Sequence, residues 1–537
     1  MKNIFSILVF SILIFSCKKE QVNLIVINAN AYTVNSNFDK AQAFAIKDGK
    51  FIAVGTNDKI QKEYQSTKVI DAKNQTIVPG LIDAHCHFFG MGMQQQKVSL
   101  EGTKSYDEVL QKLVAFQKEK NTRFITGRGW DQNDWEVKEF PTKEKLDKLF
   151  PTIPVAVRRV DGHALLVNQA AIDLSGITKD TKVSGGEIIL KDGKMTGVLI
   201  DAAMGFINVP SATKKETIQG LLDAQKRAFS YGLTTVDDAG LDRNIIELID
   251  SLQQVGSLKM RIYAMVSGDN QKQIDYYIDK GIIKTEKLNV RSFKIYGDGA
   301  LGSRGAAMRK SYSDRENHFG ALIYAPERYK EIAKQIAASE FQMNTHAIGD
   351  SANTWMLKTY KEVLKNAKNR RWRIEHAQII SKEDFKNFDN ILPSVQPTHA
   401  TSDMYWAKDR VGAERVQGAY AFKDLLMQYG KIALGTDFPV EQVNPFLTFY
   451  AATIRKDIHN YPENGFQMEN ALTREETLKG MTIWAAFSNF EEEEKGSIEV
   501  GKFADFVILN HNIMEVNGTK IPNTKVISTF VNGEKVY

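Results

Sequence analysis

Val78-Pro-Gly-Leu-Ile-Asp-Ala-His85-Cys-His87 is an apolar run that closes on two histidines one residue apart. Side chains alternate faces along a strand, so His85 and His87 point the same way and can both grip one metal ion. Cys86 points the other way and reads as a small buried hydrophobe rather than a ligand. Further along, four more apolar segments carry a residue able to do chemistry: Phe293-Lys294-Ile-Tyr-Gly-Asp298, Met343-Asn-Thr-His346, Arg373-Ile-Glu-His376 and Ile432-Ala-Leu-Gly-Thr-Asp437. A lone histidine on an apolar strand is more often core than ligand. Four of them at strand ends, with a matching aspartate, turn the reading toward metal ligation.

Outward from this run the pattern alternates apolar strand and helix, as a parallel barrel requires. Eight strands are predicted, at about 77–87, 233–239, 260–266, 291–298, 341–346, 371–376, 391–399 and 431–437. The fold class is α/β, a (β/α)8 TIM barrel over 77–499, with the metal-type residues at the carboxyl ends of strands 1, 4, 5, 6 and 8, the catalytic face of such a barrel. About 145 residues separate strands 1 and 2, more than a crossover helix needs, so an inserted subdomain is expected at about 100–212. Its strand-like pieces include Val155-Ala-Val-Arg-Arg-Val160 and a hairpin at 186–197, and it follows a catalytic strand, so it is expected to roof the site. The two chain ends, 22–76 and 500–537, read as short strands with turns. Neither is long enough to bury a two-sheet core alone, which predicts that they pair into one small β-sandwich.

Bulk properties agree with an enzyme-sized globular chain: 537 residues, 43% hydrophobic and 25% charged. Lys plus Arg at 70 against Asp plus Glu at 65 leaves +5. With no long basic tract bearing interleaved aromatics, nucleic acid is not an expected partner. Residues 1–16 have the length and apolarity of a secretory signal peptide, too short to span a bilayer comfortably. Ile14-Phe-Ser-Cys17 resembles a bacterial lipobox, with Phe15 its least typical residue. The expectation is an exported lipoprotein, anchored to a membrane through a lipidated Cys17 and a polar tether at 17–21; a plain secretory signal or uncleaved anchor is the alternative. With Cys17 consumed, Cys86 has no disulfide partner.

The chain resembles the amidohydrolase superfamily and, within it, amidohydrolase family 3, the YtcJ-like branch. The marks are Pro79-Gly-Leu-Ile-Asp-Ala-His85-Cys-His87, Gly127-Arg-Gly-Trp-Asp131, Asp161-Gly-His163, the run from Lys294 to Arg304, His346-Ala-Ile-Gly-Asp350, Glu375-His376, Ser394-Val-Gln-Pro-Thr-His399 and Gly435-Thr-Asp-Phe-Pro439. Each is a weak match alone; in this order they are specific, and they span nearly all of the chain after the signal. The resemblance implies two divalent metal ions, zinc or similar. His85, His87 and Asp437 would hold one, His346 and His376 the other, and Lys294 would bridge them after carboxylation by CO2. It also implies hydrolysis of a carbon–nitrogen bond in a small-molecule, amide-like substrate by a hydroxide shared between the metals. Asp437 would carry the proton, and His163 or His399 would donate to the developing oxyanion.

Alternatives stand beside these roles. Lys294 could instead pair with an acid such as Asp298. Trp130 and Trp135 could face substrate or pack the insert, and Tyr405 and Trp406 leave the same choice open. Ser303 and Arg304 lean toward fixing their loop, and His318, His459 and His511 read as structural or exposed. The same metals could act on an ester, a lactone or a ring amine, and a lipoprotein that binds a ligand without turnover is the remaining class.

Overall fold

In the computed structural model the described residues are 19–365, 367 and 369–537. The expected signal peptide and Cys17 lie outside them. The chain divides into two compact units, one made of residues to His87 together with Lys226–Tyr537, the other of Phe88–Gln225.

The first unit holds the barrel. Its strands are β1 (Leu81–Cys86), β2 (Leu233–Leu241), β3 (Arg261–Ser267), β4 (Leu288–Tyr296), β5 (Gln342–Ala347), β6 (Arg373–His376), β7 (Leu392–Val395) and β8 (Ala433–Leu434). They are ordered as in the sequence and every neighbouring pair is parallel. β8 is too short to pair fully with β1, and the ring closes instead through two backbone bonds, Asp437 N–H to His85 O (2.8 Å) and His87 N–H to Phe438 O (2.7 Å). The closure therefore joins the ends of two segments that carry candidate ligands. Helices return the chain between strands; in Arg243–Gln254 the buried Ile246, Ile249 and Leu252 recur at helical spacing.

The chain ends pair as their patterns imply. One sheet runs Lys50–Gly55, Ala43–Lys47, Leu24–Ile27, Val69–Asp71; the other contains Val526–Val531, Phe506–Leu509, Thr76–Pro79 and Asn30–Tyr32. Val507 lies opposite Val78 in antiparallel register. Between the sheets Phe44, Phe51, Phe506 and Phe530 interlock, with Phe506 and Phe530 stacked at 4.3 Å. Burial of each such ring stabilises the layer by about 1.5–3 kcal/mol.

Two of the boundary differences bear on how the site is placed; the strand expected at 431–437 also shortens to Ala433–Leu434, so Asp437 lies beyond its end. The run predicted as one strand from 77 is split at Gly80. Thr76–Pro79 belongs to the sandwich, and the barrel begins at Leu81. Gly80 sits where the two layers meet: a Cβ there would lie 2.2 Å from Thr234 Oγ1 and 2.9 Å from Asp505 Cβ. The second difference is in the strand expected at 391–399, which stops at Val395. Pro397 then occupies the first turn of a helix, Pro397–Asp403, because its fixed φ and missing N–H suit that position. His399 thus sits on a helix rather than at a strand end.

The insert forms its own unit around a six-stranded mixed sheet. The 186–197 hairpin appears as Gly186–Lys191 paired antiparallel with Lys194–Asp201. Trp130 and Trp135 are both buried in its core, with indole N–H groups donating to Val157 O (2.8 Å) and Thr103 O (3.1 Å). That decides their reading: these rings pack the insert.

Candidate metal centre

The first pair of histidines is placed by β1 as the alternation requires. His85 is fully buried, and its Nδ1 lies 2.6 Å from Glu375 Oε2. His87 donates Nδ1–H to Ala239 O (3.0 Å). On β6, His376 is fixed the same way, its Nδ1 2.6 Å from Gln396 Oε1. In each ring one nitrogen is committed to an oxygen acceptor, which leaves Nε2 as the lone-pair donor; such partners orient metal-binding histidines and raise their basicity.

Asp437 gathers these donors. Its Oδ1 lies 3.3 Å from His87 Nε2 and 3.8 Å from His85 Nε2, and among the described residues it has no hydrogen-bond partner although buried. Its Oδ2 lies 3.3 Å from His399 Nε2. The rings of His346 and His376 are 4.5 Å apart and those of His85 and His376 4.8 Å. His346 Nε2 is likewise buried without a hydrogen-bond partner, 3.5 Å from Asp298 Oδ1. Lys294 Nζ reaches into the same cluster, 3.0 Å from His85 Nε2.

The ligand atoms of His85, His87 and Asp437 lie within 4.8 Å of one another, as do those of His376, His399 and Asp437. The first group coincides with the set expected for one ion. The second draws in His399, expected only as an oxyanion donor. In the first group the histidine Nε2 atoms, an anionic carboxylate and the unpaired Asp437 Oδ1 fit a divalent transition metal.

The electrostatics suit that role. Burial, then the charge of Lys294, pushes His85 well below the ordinary imidazole range and His346 down to about 3, and burial with His346 and His85 does the same to His376. All three are neutral at physiological pH, as ligands must be. Burial opposes ionisation of Asp437, but the imidazoles of His399, His87, His85 and His376 outweigh it and hold its carboxyl well below the usual range. Burial also lowers Lys294, against Glu375 and Asp437, and so favours the free amine. At His399 burial is overcome by hydrogen bonds to Asp437 and Glu441, which raise it to about 10.

Lys294 does not pair with Asp298. That carboxylate accepts backbone N–H bonds from Ala307 (2.9 Å), Ile348 (3.0 Å) and Gly349 (2.8 Å), tying the loop after β4 to the loop after β5. Ser303 and Arg304 fix their loop. Arg304 forms a two-point contact with Asp314, and His318 Nε2 meets its carbonyl at 2.9 Å. Tyr405 is exposed and stacks on Tyr461 at 5.4 Å, while the Trp406 ring lies beside Gly302. His163 belongs to the insert. It is 75% exposed and its Nδ1 meets Asp201 Oδ1 at 2.7 Å.

Several positioning residues escaped the sequence reading. Asp83 accepts from Thr436 Oγ1 (2.7 Å), Thr436 N–H (3.0 Å) and His85 N–H (3.2 Å), fastening the end of β1 to the segment that carries Asp437. Arg373 is fully buried, bonded to Asp237 at 2.9 Å and 3.9 Å from Glu375 Oε1, the acid that holds His85. The period-2 pattern puts Arg373 and Glu375 on one face, but nothing local says which histidine Glu375 meets. His376 and Asp437 have φ of 71° and 62°, a left-handed backbone costly for non-glycine residues and concentrated at functional sites.

A parallel barrel with this constellation at the carboxyl ends of its strands is the architecture of a metal-dependent hydrolase. Residues 68–537 match the model of the amidohydrolase family. The chain therefore belongs to the amidohydrolase family and is a hydrolase acting on carbon–nitrogen bonds. It is 31% identical to Protein LONG AFTER FAR-RED 3 of Arabidopsis thaliana over 96% of this chain and 91% of that protein. It is 24% identical to N-substituted formamide deformylase of Arthrobacter pascens over 95% and 97%. Among solved structures, an uncharacterised metal-dependent hydrolase from Pyrococcus furiosus superposes with a TM-score of 0.76 at 25% identity, covering 92% of this chain and all of that one.

Proposed function

We propose that the protein hydrolyses the amide-like bond of a small acylated amine, with N-substituted formamides as the first class to test. The observation that carries this reading is the pair of groups His85, His87, Asp437 and His376, His399, Asp437, which meet at Asp437 with the ligand atoms of each group within 4.8 Å of one another. The Nδ1 atoms of His85, His87 and His376 are held from behind by oxygen acceptors. The substrate class takes its support from the relative that is a deformylase of N-substituted formamides.

In this reading His85, His87 and Asp437 would hold one divalent ion, zinc or similar, His346 and His376 would hold a second, and Lys294 would be a further ligand. When bound, such ions lower the pKa of a water molecule and polarise a carbonyl. The chain's own groups do the rest. Lys294, whose free-amine form burial favours, would attack CO2 through Nζ and lose one proton, giving a two-oxygen anion able to act as a ligand. Asp437 accepts the proton released as water adds to the carbonyl carbon and passes it to the leaving nitrogen when the carbon–nitrogen bond breaks. His399, charged and 3.3 Å from Asp437, is placed to donate to the oxygen on which negative charge develops. His163 is not needed for this sequence.

Elemental analysis after reconstitution with zinc and bicarbonate, together with a panel of formamides, longer acyl amides, esters and lactones, tests the proposal. Up to two ions per chain and turnover of an amide are expected, with His85→Ala losing much of both. A chain that takes up no metal would refute it.

The same proposal places the mature chain at a membrane through lipidated Cys17, supported by Ile14-Phe-Ser-Cys17. Among the described residues no helix is long and apolar enough to cross a membrane. Labelled fatty acid should enter the wild type and not Cys17→Ser; equal labelling of both would remove the anchor.

A further inference from the structure

Glu441 had no role in the sequence reading, yet it is bonded to His399, which faces Asp437 from a helix rather than a strand. The turn Phe438-Pro439-Val440, closed by Val440 N–H to Asp437 O at 2.9 Å, folds the chain back after the candidate ligand. Asp437 and Glu441 therefore approach the same imidazole from two sides. His399 Nε2 lies 3.3 Å from Asp437 Oδ2, and His399 Nδ1 lies 3.2 Å from Glu441 Oε1.

A second contact fixes the acid itself. Ser402 stands one helical turn after His399 on Pro397–Asp403, and its hydroxyl donates to the same Glu441 Oε1 at 2.7 Å. The hydroxyl also lies 3.3 Å from His399 O. One carboxylate oxygen thus receives both the ring N–H and the hydroxyl of a single helix. Glu441 is only 21% exposed, and His399 14%. Free rotation of an imidazole about its Cβ–Cγ bond would carry Nε2 away from Asp437; a committed Nδ1–H···O bond prevents it.

We propose that Glu441, with Ser402 beneath it, is a positioning residue that aims His399 Nε2 at the reacting centre. It acts through His399 and touches neither substrate nor metal. The arrangement repeats on His399 what Glu375 does for His85 and Gln396 for His376, an oxygen acceptor behind each ring. The difference is that Glu441 lies on the loop after β8, so it couples the helix bearing His399 to the segment bearing Asp437. The inference rests on the hydrolase reading above.

The test is a double-mutant cycle on the metal-loaded enzyme with its best amide substrate. Glu441→Ala is expected to lower kcat about 10–100-fold, the usual cost of losing an orienting partner, with KM within about twofold and metal content unchanged. Glu441→Gln, which keeps an oxygen for Nδ1–H, should recover most of the loss. In a His399→Ala background Glu441→Ala should cost nothing more, because the residue through which it acts is gone. Undiminished kcat in Glu441→Ala, or a full independent loss in the His399→Ala background, would overturn the proposal. Crystal structures of wild type and Glu441→Ala give a readout that needs no substrate. The ring should turn away from Asp437 in the variant, and a ring that keeps its place refutes positioning even if the hydrolase reading stands. Absence of metal and of turnover in the wild type would instead refute that reading.

Discussion

In the barrel, His87 Nε2 faces Asp437 Oδ1 at 3.3 Å; in the insert, His163 Nδ1 meets Asp201 Oδ1 at 2.7 Å. The shorter contact is the chemically poorer one. His163 and Asp201 are 75% and 47% exposed, and a pair in water at that exposure contributes about 0–1 kcal/mol. Asp437 is 8% exposed, its Oδ1 has no hydrogen-bond partner among the described residues, and buried imidazoles surround it. Leaving such an atom unpaired costs about 1–3 kcal/mol, so the barrel has assembled a site that a cation would stabilise, whereas the insert pair is already satisfied. Identical residue types separate into ligand and surface pair through burial and unmet valence, not through distance.

The largest effect should come from the barrel's carboxylate. Asp437→Asn is expected to keep the fold and part of the metal but to lower kcat by about 10²–10⁴-fold, read by steady-state kinetics with a smaller change in KM. A near wild-type rate would move the proton to another group.

Buried and exposed ion pairs give the next contrast. Arg261 is fully buried and makes two bonds to Asp505, at 2.7 and 3.1 Å, joining β3 to the strand entry of the sandwich. Asp505→Ala strands that guanidinium and should cost about 3–5 kcal/mol in denaturant unfolding. Asp107→Ala, which removes an exposed partner of Lys145 in the insert, should cost under about 1 kcal/mol. Equal losses would refute the claim that burial decides.

Smaller again is the loss of an orienting acid: Glu375→Gln should weaken metal retention about 10–100-fold in chelator competition.

Within the insert, burial opposes ionisation of Asp223, but Lys120 at 2.6 Å with Gln96 and Gln219 holds its carboxyl below the usual range. A depressed carboxyl contributes stability above its unfolded pKa of about 3.9 and loses it as pH falls through the folded value. The Tm gap between wild type and Asp223→Asn should therefore be full at neutral pH and close below about pH 4. A gap that persists in acid would assign the effect to packing. Smallest of all, His163→Ala should leave metal content unchanged and shift stability by no more than about 0.5 kcal/mol.

Residue pattern alone was enough for the barrel, the pairing of the two chain ends and the shared face of His85 and His87. All three depend on periodicity and length, which are local properties of the chain. The presence of an insert followed from an overlong connection, though not the burial of Trp130 and Trp135 within it. Tertiary structure decided the rest. Only the fold brings Glu375 to His85, Gln396 to His376 and Asp83 to Thr436, partners separated by up to 353 residues. It also ended the seventh strand before His399 and placed Glu441 behind that ring. Side-chain period can say which face a residue occupies, but the choice of partner across a closed barrel depends on strand order and register, which come from packing the whole chain.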